Sequence, residues 1–132
     1  MLQNQTTETN STLPPIIALQ YSALKNVLVS CGGKDDRRVT FWDLNLYKPF
    51  RIIQATYEGE LKSLSLRSDA KSVVVSDDSG EIKVFNYEDG KLQRLTNNGH
   101  ASAVTAVAAS PDCKRMISGD SQGGLMVWDV DF

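Results

Sequence analysis

The chain repeats itself every 43 residues, and no other feature constrains its fold as tightly. Trp42-Asp43, Phe85-Asn86 and Trp128-Asp129 each stand one interval apart. The second and third copies align without a gap: Leu61 with Val104, Leu64 with Val107, Leu66 with Ala109, Asp77 with Asp120, Gly80 with Gly123 and Val84 with Val127. The first copy joins them if two extra residues are allowed near Gly32-Gly33-Lys34-Asp35-Asp36. Ile16, Leu19 and Tyr21 then take the places of Val104, Val107 and Ala109. A repeat of this length is one supersecondary unit, too small to bury its apolar face alone, so it stacks on its neighbours.

Inside each copy apolar residues recur at a period of two, between clusters of turn residues. This predicts strands over 16–21, 27–31, 39–42 and 50–54, then 61–66, 72–76, 81–85 and 92–95, then 104–109, 115–118 and 125–128. Ser110-Pro111-Asp112, Asp78-Ser79-Gly80 and Glu88-Asp89-Gly90 supply turns. No stretch carries a helical stripe. The expectation is an all-β chain of short antiparallel strands, with the outer strand of the third copy missing.

Four strands per 43 residues closing on Trp-Asp resembles the WD40 repeat, over about residues 16–130. Two Trp-Asp dipeptides, Gly99-His100 and the 28-residue step from His100 to Trp128 carry the resemblance. It implies about three β-propeller blades of four-stranded antiparallel sheets, over about 14–55, 56–98 and 99–132. Residues 1–13 are polar, rich in Thr, Ser, Asn and Gln, and are expected to form a disordered tail. Propellers close with about four to eight blades. The shortfall implies further WD40 blades, from the same chain, a second copy or a partner's propeller.

The resemblance also implies a hydrogen-bonded tetrad that locks a blade: a His before the first strand, a Ser or Thr in the second, an Asp in the following turn and the Trp of the third. In the third copy those positions hold His100, Ser118, Gln122 and Trp128, with Asp120 two residues before the turn position. The first copy offers Ser30, Asp36 and Trp42, with Thr12 where His belongs. The second offers Tyr57, Val75, Ser79 and Phe85, so apolar packing must hold it. On this reading no blade has the full set.

Enzyme and ligand chemistries find little support. His100 is the only histidine, without the nucleophile a general base serves or the further ligands a zinc ion needs. Asp77-Asp78-Ser79-Gly80-Glu81 lacks the alternating spacing of a calcium loop, and Gly32-Gly33-Lys34 lacks the full phosphate-loop spacing. Ser110-Pro111 could accept a phosphate but reads more simply as a turn. Cys31 and Cys113 form no CxxC pair, as expected of free thiols in a reducing compartment. The charges balance to -2 and are interspersed, leaving no basic stripe for nucleic acid and none for an acidic membrane. No apolar run is long enough to span a bilayer, and the N-terminus lacks a secretory pattern. The sequons at Asn4 and Asn10 therefore read as products of the polar tail. No enzyme, cofactor or metal is expected.

The expected function is a non-catalytic protein-interaction scaffold. Family geometry would present loop residues Lys34, Asp35, Arg37, Tyr57, Glu58, Glu60, Asp77, Asp78, Ser102 and Asp120 to partners. The run from Gly80-Glu81-Ile82-Lys83-Val84-Phe85-Asn86-Tyr87-Glu88-Asp89-Gly90-Lys91 through Asn98-Gly99-His100 looks like the C-terminal end of cilia- and flagella-associated WD-repeat proteins. That resemblance implies a microtubule-associated assembly of the cilium or axoneme, in or continuous with the cytoplasm. The alternative is a WD40 adaptor or substrate receptor in a signalling or ubiquitin-ligase complex.

Overall fold

A computed structural model describes residues 15–32, 36–56, 59–96 and 99–129. The expected tail over residues 1–13 and the loop residues Lys34, Asp35, Tyr57 and Glu58 lie outside the described residues. Eleven strands run in chain order: β1 (Ile16–Ser22), β2 (Val27–Gly32), β3 (Arg38–Asp43), β4 (Lys48–Gln54), β5 (Leu61–Leu66), β6 (Ser72–Asp77), β7 (Ile82–Asn86), β8 (Leu92–Thr96), β9 (Val104–Ala109), β10 (Arg115–Asp120) and β11 (Leu125–Asp129). They form three sheets, ordered β1-β2-β3-β4, β5-β6-β7-β8 and β11-β10-β9, with every neighbouring pair antiparallel. The boundaries fall close to those read from the alternation of apolar residues. One difference matters later: β10 runs on through a register shift at Gly119/Asp120, two residues past Ser118.

The turns repeat as faithfully as the strands. After β5, Asp69 Oδ1 accepts the Lys71 amide, and Ala70 takes a positive φ of 58°. After β9, Asp112 Oδ1 accepts the Lys114 amide, and Cys113 takes a φ of 64°. After β3, Asp43 Oδ1 accepts the Asn45 and Leu46 amides. Asn86 accepts Glu88 and Asp89 in the same way after β7. An amide oxygen performs this bond as well as a carboxylate, which is why Phe85-Asn86 can stand where the other copies have Trp-Asp.

Two apolar layers join the three sheets. Val27, Val29, Cys31, Val39 and Phe41 of the first sheet pack against Leu61, Leu64, Val73, Val75 and Phe85 of the second. Val74, Ile82 and Val84, on the second sheet's opposite face, pack against Val104 and Met116, with Val107 and Trp128 alongside. Polar bonds cross both junctions. Lys83 Nζ donates to the Ala55 carbonyl at 2.9 Å, and Arg51 donates to the carbonyls of Tyr87 and Glu88. On the other side, the Ser63 and Ser65 hydroxyls accept the Val107 and Ala109 amides, both at 3.2 Å. Those amides lie on the free edge of β9, where they would otherwise lack an acceptor.

The two cysteines are free and sit in opposite environments. Cys31 is buried in the first junction, where burial and then the Asp36 charge push its thiol up to about 11. Cys113 lies on a turn, 3.1 Å from the Ser68 hydroxyl, and that hydrogen bond draws its thiol below the ordinary value. The thiolate is the reacting species. A maleimide or disulfide reagent near pH 8 is expected to label Cys113 quickly. Cys31 should trail by about a hundredfold or more until the chain is unfolded. Equal rates for the two in the folded chain would contradict this placement.

Candidate functional site

The most developed polar arrangement among the described residues lies in the third sheet. Trp128 Nε1 donates to Ser118 Oγ at 2.9 Å, and Ser118 Oγ lies 2.6 Å from His100 Nε2. His100 Nδ1 in turn lies 2.8 Å from Asp120 Oδ2. The direction of the chain follows from valence. A carboxylate only accepts, so Nδ1 carries the proton shared with Asp120. In the neutral tautomer Nε2 is then the acceptor of the Ser118 hydroxyl, whose oxygen accepts the indole N–H. The His100 side chain is 1% exposed and Asp120 10%, so the bonds form out of water, where each is stronger.

The sequence expectation had Gln122 in the acidic position and no blade complete. Both are corrected: Asp120 closes the set and Gln122 stays outside, exposed. Asp120 ends β10 across from Val104, and the turn that follows holds it beside the imidazole. Its other oxygen, Oδ1, accepts the Gln122 and Gly124 amides at 2.9 and 2.7 Å. The bond from His100, followed by that from the Gly124 amide, holds the Asp120 carboxyl below the usual range. Two glycines make the room. A Cβ on Gly124 would stand 2.3 Å from Asp120 Oδ2, and one on Gly99 would stand 2.6 Å from Trp128 Cη2. The Gly-His pair is thus one steric unit with the indole.

In the first sheet Trp42 Nε1 donates to Ser30 Oγ at 2.9 Å, whereas Asp36 pairs with Arg38 at 2.8 Å. In the second, Val75 and Phe85 are buried in place of the polar pair. Asp77, the counterpart of Asp120, was expected on a partner-facing rim. It is buried instead, 3% exposed, with Oδ1 accepting the Ser79 amide, the Ser79 hydroxyl and the Glu81 amide. Arg37 reaches across to the Gly59 carbonyl at 2.8 Å. Asp78 is exposed but accepts the Glu60 amide, Glu60 pairs with Lys62, and Ser102 is half-buried. These loop residues mostly secure their own turns. No group of three His, Cys, Asp or Glu among the described residues is placed to hold a metal ion, and no helix there is long and apolar enough to cross a membrane.

Stacked antiparallel sheets of three or four strands, each a copy of one repeat and one locked by a His-Ser-Asp-Trp network, define a protein built of β-propeller blades. A family model described as "WD domain, G-beta repeat" matches residues 91–129, so the chain carries a WD40 repeat there. The match opens at β8 and runs through β9, β10 and β11, so the sequence unit joins the outer strand of one sheet to the three strands of the next. Among curated proteins, the chain is similar to "Cilia- and flagella-associated protein 52" of Chlamydomonas reinhardtii, 30% identical over 109 residues, 83% of this chain and 17% of that one. The Bos taurus and Homo sapiens proteins of that name are 44% and 42% identical over 62 residues, 47% of this chain and 10% of theirs. The chain therefore spans less than a fifth of the length of these relatives. Among solved structures, a chain in "Crystal Structure of Mitotic Checkpoint Complex" superposes with a TM-score of 0.77 at 19% identity. That superposition covers 89% of this chain and 38% of the other, and it shows the fold alone.

Proposed function

We propose that the chain is a non-catalytic interaction scaffold acting in a microtubule-associated assembly of the cilium or flagellum. The observation that carries this reading is its similarity, over 83% of its length, to a cilia- and flagella-associated protein. The geometry supports the scaffold part. The polar network of the third sheet ties its strands together, with the imidazole out of solvent. Rigid sheets of this kind hold turns at fixed spacing, a suitable frame for binding other proteins. Asp78 and Glu60, at one end of the second sheet, are the proposed partner-facing acids. The proposed location is the cytoplasm of the cilium.

The test is recovery with polymerised microtubules and with isolated axonemes. The chain is expected to co-sediment with axonemes and to be released by charge reversal at Asp78 and Glu60. Absence from both pellets removes the ciliary reading. The scaffold reading fails separately, if the purified chain turns over a substrate.

A further inference from the structure

Repeat-equivalent positions show which surfaces of the three sheets are finished. Val29, Val39 and Phe41 are each 0% exposed where the first sheet meets the second. Their counterparts Val74, Ile82 and Val84 are 0%, 0% and 1% exposed where the second meets the third. The same three places in the third sheet hold Ile117, Leu125 and Val127, equally apolar but 42%, 71% and 60% exposed. The opposite face has the converse pattern. Leu64 is 5% exposed against the first sheet, and Val107 is partly buried against the second, but Leu19 and Tyr21 at the open end are 53% and 58% exposed. Each end of the stack therefore carries one half of an interface that the chain makes twice internally.

We propose that the two ends bind each other between copies: the Ile117/Leu125/Val127 face of one copy receives the Leu19/Tyr21 face of a second. The partner follows from complementarity, since the surface already buried against each type of face is present, unused, at the chain's other end. Such a contact is heterologous, so it either closes a ring or propagates. Two copies bring six sheets, within the roughly four to eight at which propellers close. Three sheets fall short of that range. The chemistry of the new junction matches the first internal one. Ala106 and Ala108, on the edge strand β9, stand at the repeat positions of Ala18 and Gln20 rather than offering hydroxyls as Ser63 and Ser65 do. The β1–β5 junction, with Ala18 packed on its core, shows that sheets of this chain join on that pattern. The junction between copies lacks the two hydroxyl-to-amide bonds of the β5–β9 contact and is expected to be the weaker one.

Sedimentation of the 132-residue chain tests this. The expected species at about 100 µM is a dimer, twice the 14.5 kDa chain mass. Val127→Glu and Leu19→Glu, on opposite ends, should each weaken association by about tenfold or more. Because both side chains are exposed, each variant should keep the wild-type circular dichroism and, at dilutions where the chain is monomeric, its melt, with Ile117→Lys as the second choice on the Val127 face. Mixing Val127→Glu with Leu19→Glu should restore association between the two, since that pair retains one unaltered junction. A monomer at that concentration overturns the proposal, as would association indifferent to both substitutions or variants that fail to complement. The result stands apart from the ciliary reading, which concerns other proteins.

Discussion

Phe41→Ala is expected to destabilise the chain by about 3–5 kcal/mol, the range for emptying a fully buried aromatic site. The Phe41 ring is 0% exposed at the centre of the first junction. It stacks on Tyr87 of the second sheet at 5.4 Å and meets Phe50 edge-on at 6.0 Å. The Arg51 guanidinium lies over it at 5.8 Å while its donors hold the Tyr87 and Glu88 carbonyls. Losing the ring removes the apolar contact and the surface that orients this arginine. Domains of this size are stable by only about 5–15 kcal/mol, so the loss consumes much of what is available. Urea denaturation followed by fluorescence of Trp42 and Trp128 measures it. The repeat supplies the control. Val127 holds the place of Phe41 in the third sheet but is 60% exposed. At dilutions where the chain is monomeric, Val127→Ala should stay within about 0.5 kcal/mol of wild type. Similar losses at the two positions would mean that the first and third sheets are packed alike, contrary to the structure.

What the sequence disclosed and what it hid divide along a physical line. Strand alternation, the 43-residue interval and turn residues are local or periodic properties, and they located all eleven strands and their division into three sheets. The open ends were legible too, as a count of blades. The acid of the tetrad was not. It is placed by the turn after β10, where one Asp120 oxygen accepts the Gln122 and Gly124 amides and the other faces His100, bonds to which the apolar pattern is blind. A trace of it was present in the alignment of Asp77 with Asp120, and in Gly124, whose missing side chain leaves space for the carboxylate. Asp77 misled for a related reason. An aspartate at a strand end looks like a rim charge, yet its Oδ1 accepts three bonds within its own turn and takes it out of solvent. Side-chain capping of this kind is chosen by backbone geometry that composition does not encode.

The tetrad gives the second large effect and separates Asp120 from Gln122 by experiment. Ser118→Ala is expected to cost about 1–3 kcal/mol, because it strands the Trp128 indole N–H and the His100 Nε2 acceptor in a site with little water to replace the hydroxyl. Gln122→Ala should change stability by less than about 0.5 kcal/mol, since only its backbone amide is used. Asp120→Asn should fall between them and leave a distinct signature in pH. The folded Asp120 carboxyl lies below its unfolded value, so its stabilisation is fully present above the ordinary carboxylate range, near pH 4, and is lost as pH falls through the folded value. The difference in unfolding free energy between wild type and Asp120→Asn should therefore shrink on acidification through the carboxylate range. Asp112, also held low by its Ser110 and Lys114 bonds, contributes equally to both proteins and cancels in the comparison. A difference independent of pH, or a loss on Gln122→Ala matching that on Ser118→Ala, would return the acidic position to the turn and leave His100 without a carboxylate partner.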